Sequence, residues 1–348
     1  MLSRFQYSRT MNHIFSLAAA LSRQGITAAV VITGCPEAYR DPLRRYHHLF
    51  PVFAESRPAE IARLARRYRP ELLHLHAPPR GDTLSGLLRS QPIPWGITLH
   101  ERWDPAESFA SLPAPSFLIT SHPAATGVPE SLRPRTYFIP EGIDLEEYHP
   151  LEKKGFKVAL ILDQDNTEEE TGVALLKAAA LADLEVDLIS PRPLPLLKGR
   201  FHGWPLGFPT PLRESQIVIG RRRALLEGMA CGNAVLITGR GYGGIFKPQQ
   251  HPASLPFPDL SGEVDEPACY RSIFFDLSTL LKEGSLLRSL QQQGRKFVRE
   301  NCDLRLTAEQ TGRLYKEIVR RQNRGPAPRE ARAYGRFRPE KGRPRAQD

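Results

Sequence analysis

The chain has 348 residues, 41% of them hydrophobic and 25% charged, with a formal charge of +10. That length exceeds what a single hydrophobic core usually fills, so two domains of about 150 residues each are expected, and the composition excludes wholesale disorder. Residues 324–348 hold eight Arg or Lys against three acids, a net +5, so half of the positive excess lies in the last stretch and the body is only mildly basic.

In chain order, the first segment of note is IFSLAAAL, which follows Arg4 and Arg9. It has no clean cleavage site for a signal peptide and reads as an amphipathic helix leading into a strand, TAAVVIT. A doubly wound domain usually opens on a strand whose following loop carries glycines. None is legible before this helix, so the first strand is expected to be missing, through a start codon placed too late or because the domain does without it. Further strands are predicted at ELLHLHA, WGITLH, SFLITSH and TYFIPEG, and a helix at PAEIARLARRYRP between Pro58 and Pro70. The hydrophilic stretch at residues 144–155 reads as a linker.

The alternation restarts with KVALILD, a helix across EEETGVALLKAAALA, then VDLIS, QIVIG, an arginine-led helix and AVLIT. Three amphipathic helical segments from about residue 266 are expected to close this second unit. The predicted division is therefore 1–148, 149–323 and a disordered basic tail at 324–348, poor in aliphatics and rich in Arg, Pro and Gly. Four cysteines lie far apart with no Cys-x-x-Cys spacing, which speaks against a zinc site and a disulfide framework and fits a reduced cytoplasm. No apolar run reaches the roughly 18 residues of a membrane span.

Most of the chemistry is concentrated in GRRRALLEGMACGNAVLITGRGYGG, residues 220–244. The strand QIVIG ends at Gly220, and a helix is predicted from Arg222 to Cys231. Arg221, Arg222 and Arg223 at its start oppose the helix dipole and cost stability unless an anion joins them. Free N–H groups and guanidinium forks together suit a diphosphate, and the carboxyl end of a parallel strand is where open α/β sheets bind ligands. The plainer alternative is a solvated turn in which Arg223 pairs with Glu227, four residues on. Glu227 is placed one turn into the helix, where it would accept hydrogen bonds from the vicinal hydroxyls of a ribose. Gly239, Gly241, Gly243 and Gly244 permit close backbone approach to a ligand. No helix of normal length follows them, so they are not a dinucleotide fingerprint.

FIPEGIDLEEYHP (138–150) resembles the segment that closes the N-terminal domain in family 4 glycosyltransferases, and LLEGMACGNAV (225–235) resembles their nucleotide-site helix. With ELLHLHAPP, ITLHERW and GRKFVREN, the resemblance runs from about residue 10 to 322 in the right order. It implies an α/β chain of the GT-B fold: two Rossmann-like doubly wound domains facing across a cleft, the first strand of the N-terminal one missing. It also implies a nucleotide-diphosphate sugar bound by the C-terminal domain and a glycan, lipid or protein acceptor from the cell envelope bound by the N-terminal one. By this resemblance Glu227 holds the ribose and His100 lies near the donor sugar; Glu141, where the family has Asn, faces the acceptor cleft between the domains, and His76 is expected to line it because it stands nearest its strand's end. Retaining transfer by a hexosyltransferase of this kind needs its leaving diphosphate stabilised more than it needs a strong base, a role for Arg223. No cofactor is implied besides the donor substrate.

Two departures put activity in question. Ile219 stands where the family has its first glutamate, eight residues before Glu227, and LDQDNTEEE replaces a basic clamp after the first strand of the second domain. Arg221–Arg223 are expected to take over that clamp; otherwise the chain is an inactive nucleotide-binding relative. A GT-B sugar-nucleotide epimerase is the competing enzyme class. Asp163 and Asp165 form a lone Asp-x-Asp, read as a solvated loop and not as a metal site. His74 and His76 share one face of a strand, with no third ligand apparent nearby, so no metal is expected. Glu101 and Arg102 read as loop charges. Tyr334 and Phe337 among the tail arginines allow peripheral contact with an anionic membrane, and nucleic acid is not favoured because no folded recognition motif accompanies them.

Overall fold

The computed structural model describes residues 1–6, 9–77, 87–88, 93–100, 113–121, 128–153, 155–163, 166–194, 199–204, 209–239, 241–250, 257–260, 262 and 269–324. Gln164, Asp165, Glu101, Arg102 and the tail aromatics lie outside the described residues, as does the tail beyond Arg324.

Two sheets organise the chain. The first comprises β1 (Leu2–Arg4), β2 (Val30–Thr33), β3 (Val52–Ala54), β4 (Leu73–Ala77), β5 (Trp95–Leu99), β6 (Phe117–Thr120) and β7 (Thr136–Phe138). They are ordered β3-β2-β1-β4-β5-β6-β7, with every pairing parallel. The second comprises β8 (Lys157–Ile161), β9 (Glu185–Ile189), β10 (Gly199–Phe201), β11 (Ile217–Gly220), β12 (Ala234–Thr238) and β13 (Tyr242–Ile245), ordered β10-β9-β8-β11-β12-β13. Only the β12–β13 pairing is antiparallel. Buried apolar runs such as Phe117–Thr120 and Ile217–Gly220 are what a parallel sheet covered on both faces requires. In each sheet the strand order reverses once, between β1 and β4 and between β8 and β11, and such reversals leave a crevice at the carboxyl ends of the two strands.

The helices are α1 (Thr10–Arg23), α2 (Arg40–Arg44), α3 (Pro58–Tyr68), α4 (Asn166–Leu181), α5 (Thr210–Glu214), α6 (Arg223–Ala230), α7 (Tyr270–Lys282), α8 (Gly284–Asn301) and α9 (Leu304–Arg324). Gly228 sits where α6 crosses β11: a Cβ there would lie 2.8 Å from Val218 Cβ, so the helix approaches the strand more closely than alanine allows.

Two expectations change. The first strand is present: Leu2 and Ser3 pair with Val31 and Ile32 on one side, Leu2 with Leu75 on the other, making β1 an interior strand of its sheet. Its three residues carry one aliphatic side chain, too few for a periodic signal. Helix α1 and the strand after it stand where the sequence reading put them, but the helix is more deeply enclosed than an amphipathic pattern alone indicates, with ten of its residues buried. Ile14, Phe15 and Ala18 join the core over β2 and β3, while Leu17 and Leu21 pack with Leu304, Ala308 and Ile318 of α9. That packing is the second change: α9 does not close the second unit but returns to the first, with Tyr315 against Phe117 at 5.9 Å between ring centroids. Its apolar stripe was legible, but a stripe does not specify which surface it covers.

Candidate functional site

The reversal in the first sheet gathers histidines. His13 lies in α1, which follows β1; His76 lies near the end of β4; His100 directly follows β5. Their rings surround a common point, with centroid separations of 5.5 Å (His13–His76), 5.2 Å (His13–His100) and 5.4 Å (His76–His100). One ring nitrogen from each lies within 4.8 Å of the others. His100 donates Nδ1–H to Glu141 Oε1 at 2.7 Å, and its Nε2 is 3.1 Å from His76 Nδ1. Burial pushes the His13 pKa down to about 3 and holds His76 well below the usual imidazole range. Burial alone would raise the Glu141 carboxyl; the hydrogen bond from His100 and the charges of His100, His13 and Arg223 outweigh it and hold it below the usual range. His13 Nδ1 and His76 Nε2 are buried without a hydrogen-bond partner. His74 differs, since Tyr315 Oη meets its Nδ1 and Thr98 Oγ1 its Nε2, making it a satisfied core histidine.

The reversal in the second sheet gathers the arginines. Arg221 donates Nε–H to Asp163 Oδ2 at 3.0 Å, joining the end of β11 to the loop after β8, so Asp163 is an ion-pair partner of the arginine segment. Arg222 has φ 50° and ψ −124°, a conformation that non-glycine residues avoid, fixed by its N–H bonding Leu260 carbonyl at 2.6 Å. Backbone strain of this kind costs about 1–3 kcal/mol and gathers at functional sites. It places Arg222 immediately before the first turn of α6, where Ala224 and Leu225 N–H bond back to the Arg221 and Arg222 carbonyls at 3.1 Å each.

Arg223 takes a different place. It is 3% exposed and donates Nε–H to Glu227 Oε1 at 2.9 Å and Nη1–H to the Gly142 carbonyl at 2.9 Å, with Nη1 3.7 Å from Glu141 Oε2. Its Nη2 has no hydrogen-bond partner. Glu227 is 0% exposed, and its second oxygen accepts from Arg9 Nε at 2.7 Å and from Arg9 Nη2. Arg9 Nη2 also reaches Tyr148 Oη at 3.2 Å. Burial by itself would lower the Arg9 pKa, but the Glu227 carboxylate more than offsets it and keeps the guanidinium charged. A continuous polar chain therefore runs His76, His100, Glu141, Arg223, Glu227, Arg9, from the ends of the first sheet into the first helix after β11.

This placement corrects part of the sequence reading. Arg221, Arg222 and Arg223 are not one open clamp: Arg223 is internal, in the i,i+4 pair with Glu227 that the plainer reading describes. Glu227 is sealed by two arginines, so its carboxylate is not open to a ribose unless Arg9 withdraws. Gly241 turns the β12–β13 hairpin, its carbonyl accepting from Gly239 N–H at 3.0 Å. Gly243 and Gly244 belong to β13, which runs back from the strand ends, with Tyr242 donating to Asp276 Oδ2 at 2.7 Å. Ile219 is a core residue of β11, 1% exposed and paired with Leu160 and Leu236. The absence of a third ligand near His76 is also corrected, because His13 and His100 are both there. Sequence reasoning missed Arg9, His13 and Tyr148. Arg9 and His13 sit four apart just before the apolar run IFSLAAAL, which was the one available signal.

No family model and no curated protein matches the chain. Among solved structures, a glycosyltransferase from Rickettsia africae superposes with TM-score 0.63, covering 91% of this chain and 98% of that one at 11% identity. Anabaena Alr3699/HepE in complex with UDP-glucose gives TM-score 0.63, with 91% and 99% covered at 13% identity. A UDP-GlcNAc 2-epimerase from Neisseria meningitidis bound to UDP-GlcNAc gives 0.51, with 91% and 98% covered at 13% identity. The chain has the GT-B fold, two Rossmann-like units in sequence, an architecture carried both by glycosyltransferases and by a sugar-nucleotide epimerase. No helix among the described residues is long and apolar enough to cross a membrane.

Proposed function

We propose that this chain is a retaining glycosyltransferase of family 4 type that moves a hexosyl group from a nucleotide diphosphate to an envelope glycan, lipid or protein. The observation that carries the reading is the strained Arg222 at the start of α6, next to the Arg221–Asp163 pair, at the reversal of the second sheet. Arg222 meets the diphosphate, and Arg223, held internally between Glu227 and the Gly142 carbonyl, contributes its fixed positive charge from behind as the leaving group departs. His100 lies on the donor-sugar side, with His76 and Glu141 behind it. Glu227 acts through its two arginines, orienting them, and not as a direct ribose ligand. The similar protein bound to UDP-glucose supports a nucleotide sugar as donor. The protein works in the cytoplasm, with the basic tail available for peripheral contact with an anionic membrane.

The test is calorimetric titration of UDP, GDP and ADP and their sugars into wild type and Arg222→Ala. Wild type is expected to bind one of these diphosphates at micromolar level, and Arg222→Ala to bind it at least tenfold more weakly. No binding to wild type overturns the proposal. Slow hydrolysis of the donor, lost in His100→Ala, distinguishes a transferase from an inactive relative. Appearance of a C2-epimerised sugar nucleotide instead would assign the epimerase reaction.

A further inference from the structure

We infer that His13, His76 and His100 form a binding site for a zinc-like divalent transition metal. Three features of the cluster converge on this. The rings come from three different βα units yet stand at nearly equal separations, 5.2–5.5 Å between centroids, about one centre. In a tetrahedral zinc site with Zn–N bonds of about 2.0–2.1 Å, ligand nitrogens lie about 3.3 Å apart; His76 Nδ1 and His100 Nε2 are already 3.1 Å apart, and the third ring offers a nitrogen within 4.8 Å.

The second feature is unmet hydrogen-bonding demand. His13 and His76 are each 4% exposed, and His13 Nδ1 and His76 Nε2 have no partner. A buried polar atom left without a partner costs about 1–3 kcal/mol. His13, with a ring nitrogen left unpartnered, is the ligand whose demand a cation would meet, while His76 would ligate through the Nδ1 that stands 3.1 Å from His100 Nε2. His74 lies beside them, 4.2 Å from His76 between ring centroids, but spends both nitrogens on Tyr315 and Thr98 and is excluded as a ligand.

The third is the support behind His100. Its Nδ1–H is committed to Glu141 Oε1 at 2.7 Å, which fixes the tautomer and leaves the Nε2 lone pair facing the cluster. A carboxylate behind the far nitrogen of a ligating histidine is the arrangement that orients such ligands and raises their basicity. Glu141 is itself held near Arg223, 3.7 Å away. Three protein ligands leave a fourth position for water or an oxygen of a bound molecule, the coordination of zinc sites that interact with substrates.

The experiment uses the full chain, free of any histidine tag and treated with chelator, titrated with Co²⁺ and followed by its visible d–d bands. Zn²⁺ competition and native mass spectrometry complete it. Wild type is expected to take up one Co²⁺ with the intense bands of a four-coordinate ion, displaced by one Zn²⁺. His13→Gln and His76→Gln should each lose those bands, and Glu141→Gln should bind about 10–100-fold more weakly. His47→Ala/His48→Ala, which removes an exposed histidine pair elsewhere, should bind like wild type. Wild type binding less than half an equivalent, or binding that survives in both His13→Gln and His76→Gln, overturns the inference. The wild-type titration is decisive even if a variant fails to fold. It is made without nucleotide, so its outcome is independent of the transferase reading.

Discussion

Replacing Arg9 by methionine probes the polar chain where it is most deeply buried. The Arg9 guanidinium is 4% exposed and meets a carboxylate that is 0% exposed, so neither charge is hydrated. Methionine fills much of the volume of the arginine stem but supplies no charge. Glu227 keeps only the Nε–H bond from Arg223 at 2.9 Å, and Tyr148 Oη loses a donor at 3.2 Å. Breaking a buried ion pair from one side costs about 3–5 kcal/mol, mostly the penalty of the charge left behind. Folded proteins have about 5–15 kcal/mol in total, so this single change removes a large share of the stability. Urea unfolding measures it, followed by far-UV circular dichroism and by the fluorescence of the chain's tryptophans, which include Trp95 in the first unit and Trp204 in the second. Coincidence of the two signals checks that one transition is being measured. Combining Arg9→Met with Glu227→Gln should cost less than the sum of the single changes by about 0.5–3 kcal/mol. A loss below about 1 kcal/mol for Arg9→Met would match an exposed ion pair and refute the argument.

Arg222→Gly should raise the melting temperature while weakening diphosphate binding: release of about 1–3 kcal/mol of backbone strain exceeds the about 0.5–1 kcal/mol entropic cost of glycine. A lower melting temperature would show that Arg222 is not strained. Gly228→Ala should destabilise the protein despite the better helix propensity of alanine, because its Cβ would lie 2.8 Å from Val218 Cβ and overpacking costs about 1–3 kcal/mol; unchanged urea unfolding contradicts the close approach of α6 to β11. In thiol labelling at neutral pH, Cys269 should react first, being exposed with a pKa lowered by hydrogen bonds from backbone N–H groups of Arg271 and Ser272. Cys231, pushed up to about 12 by burial, and the buried Cys302 should label only after denaturation. Peptide mass mapping reads the order, and early labelling of Cys231 would mean that α6 opens readily.

The local elements, and with them the architecture, are legible in the residue pattern. QIVIG, AVLIT and KVALILD are apolar runs of strand length, and the helices between them carry the spacing of 3.6, so two parallel-sheet units could be read without any contact being known. The pairing of Arg223 with Glu227 was legible for the same reason, since an i,i+4 relation belongs to the helix alone. What lies beyond one element was not. Arg9 and Glu227 are 218 residues apart, and His13, His76 and His100 sit on three different βα units; no periodic signal links such residues. Strand order decided that the units carrying His13, His76 and His100 end at one crevice, and α1, held between its sheet and α9, decided that Arg9 reaches the Glu227 carboxylate. The same packing turned Glu227 from an open ribose ligand into the centre of a sealed ion-pair chain. Burial and partner choice depend on the surface each element lands on, and hydrophobic periodicity does not encode that surface.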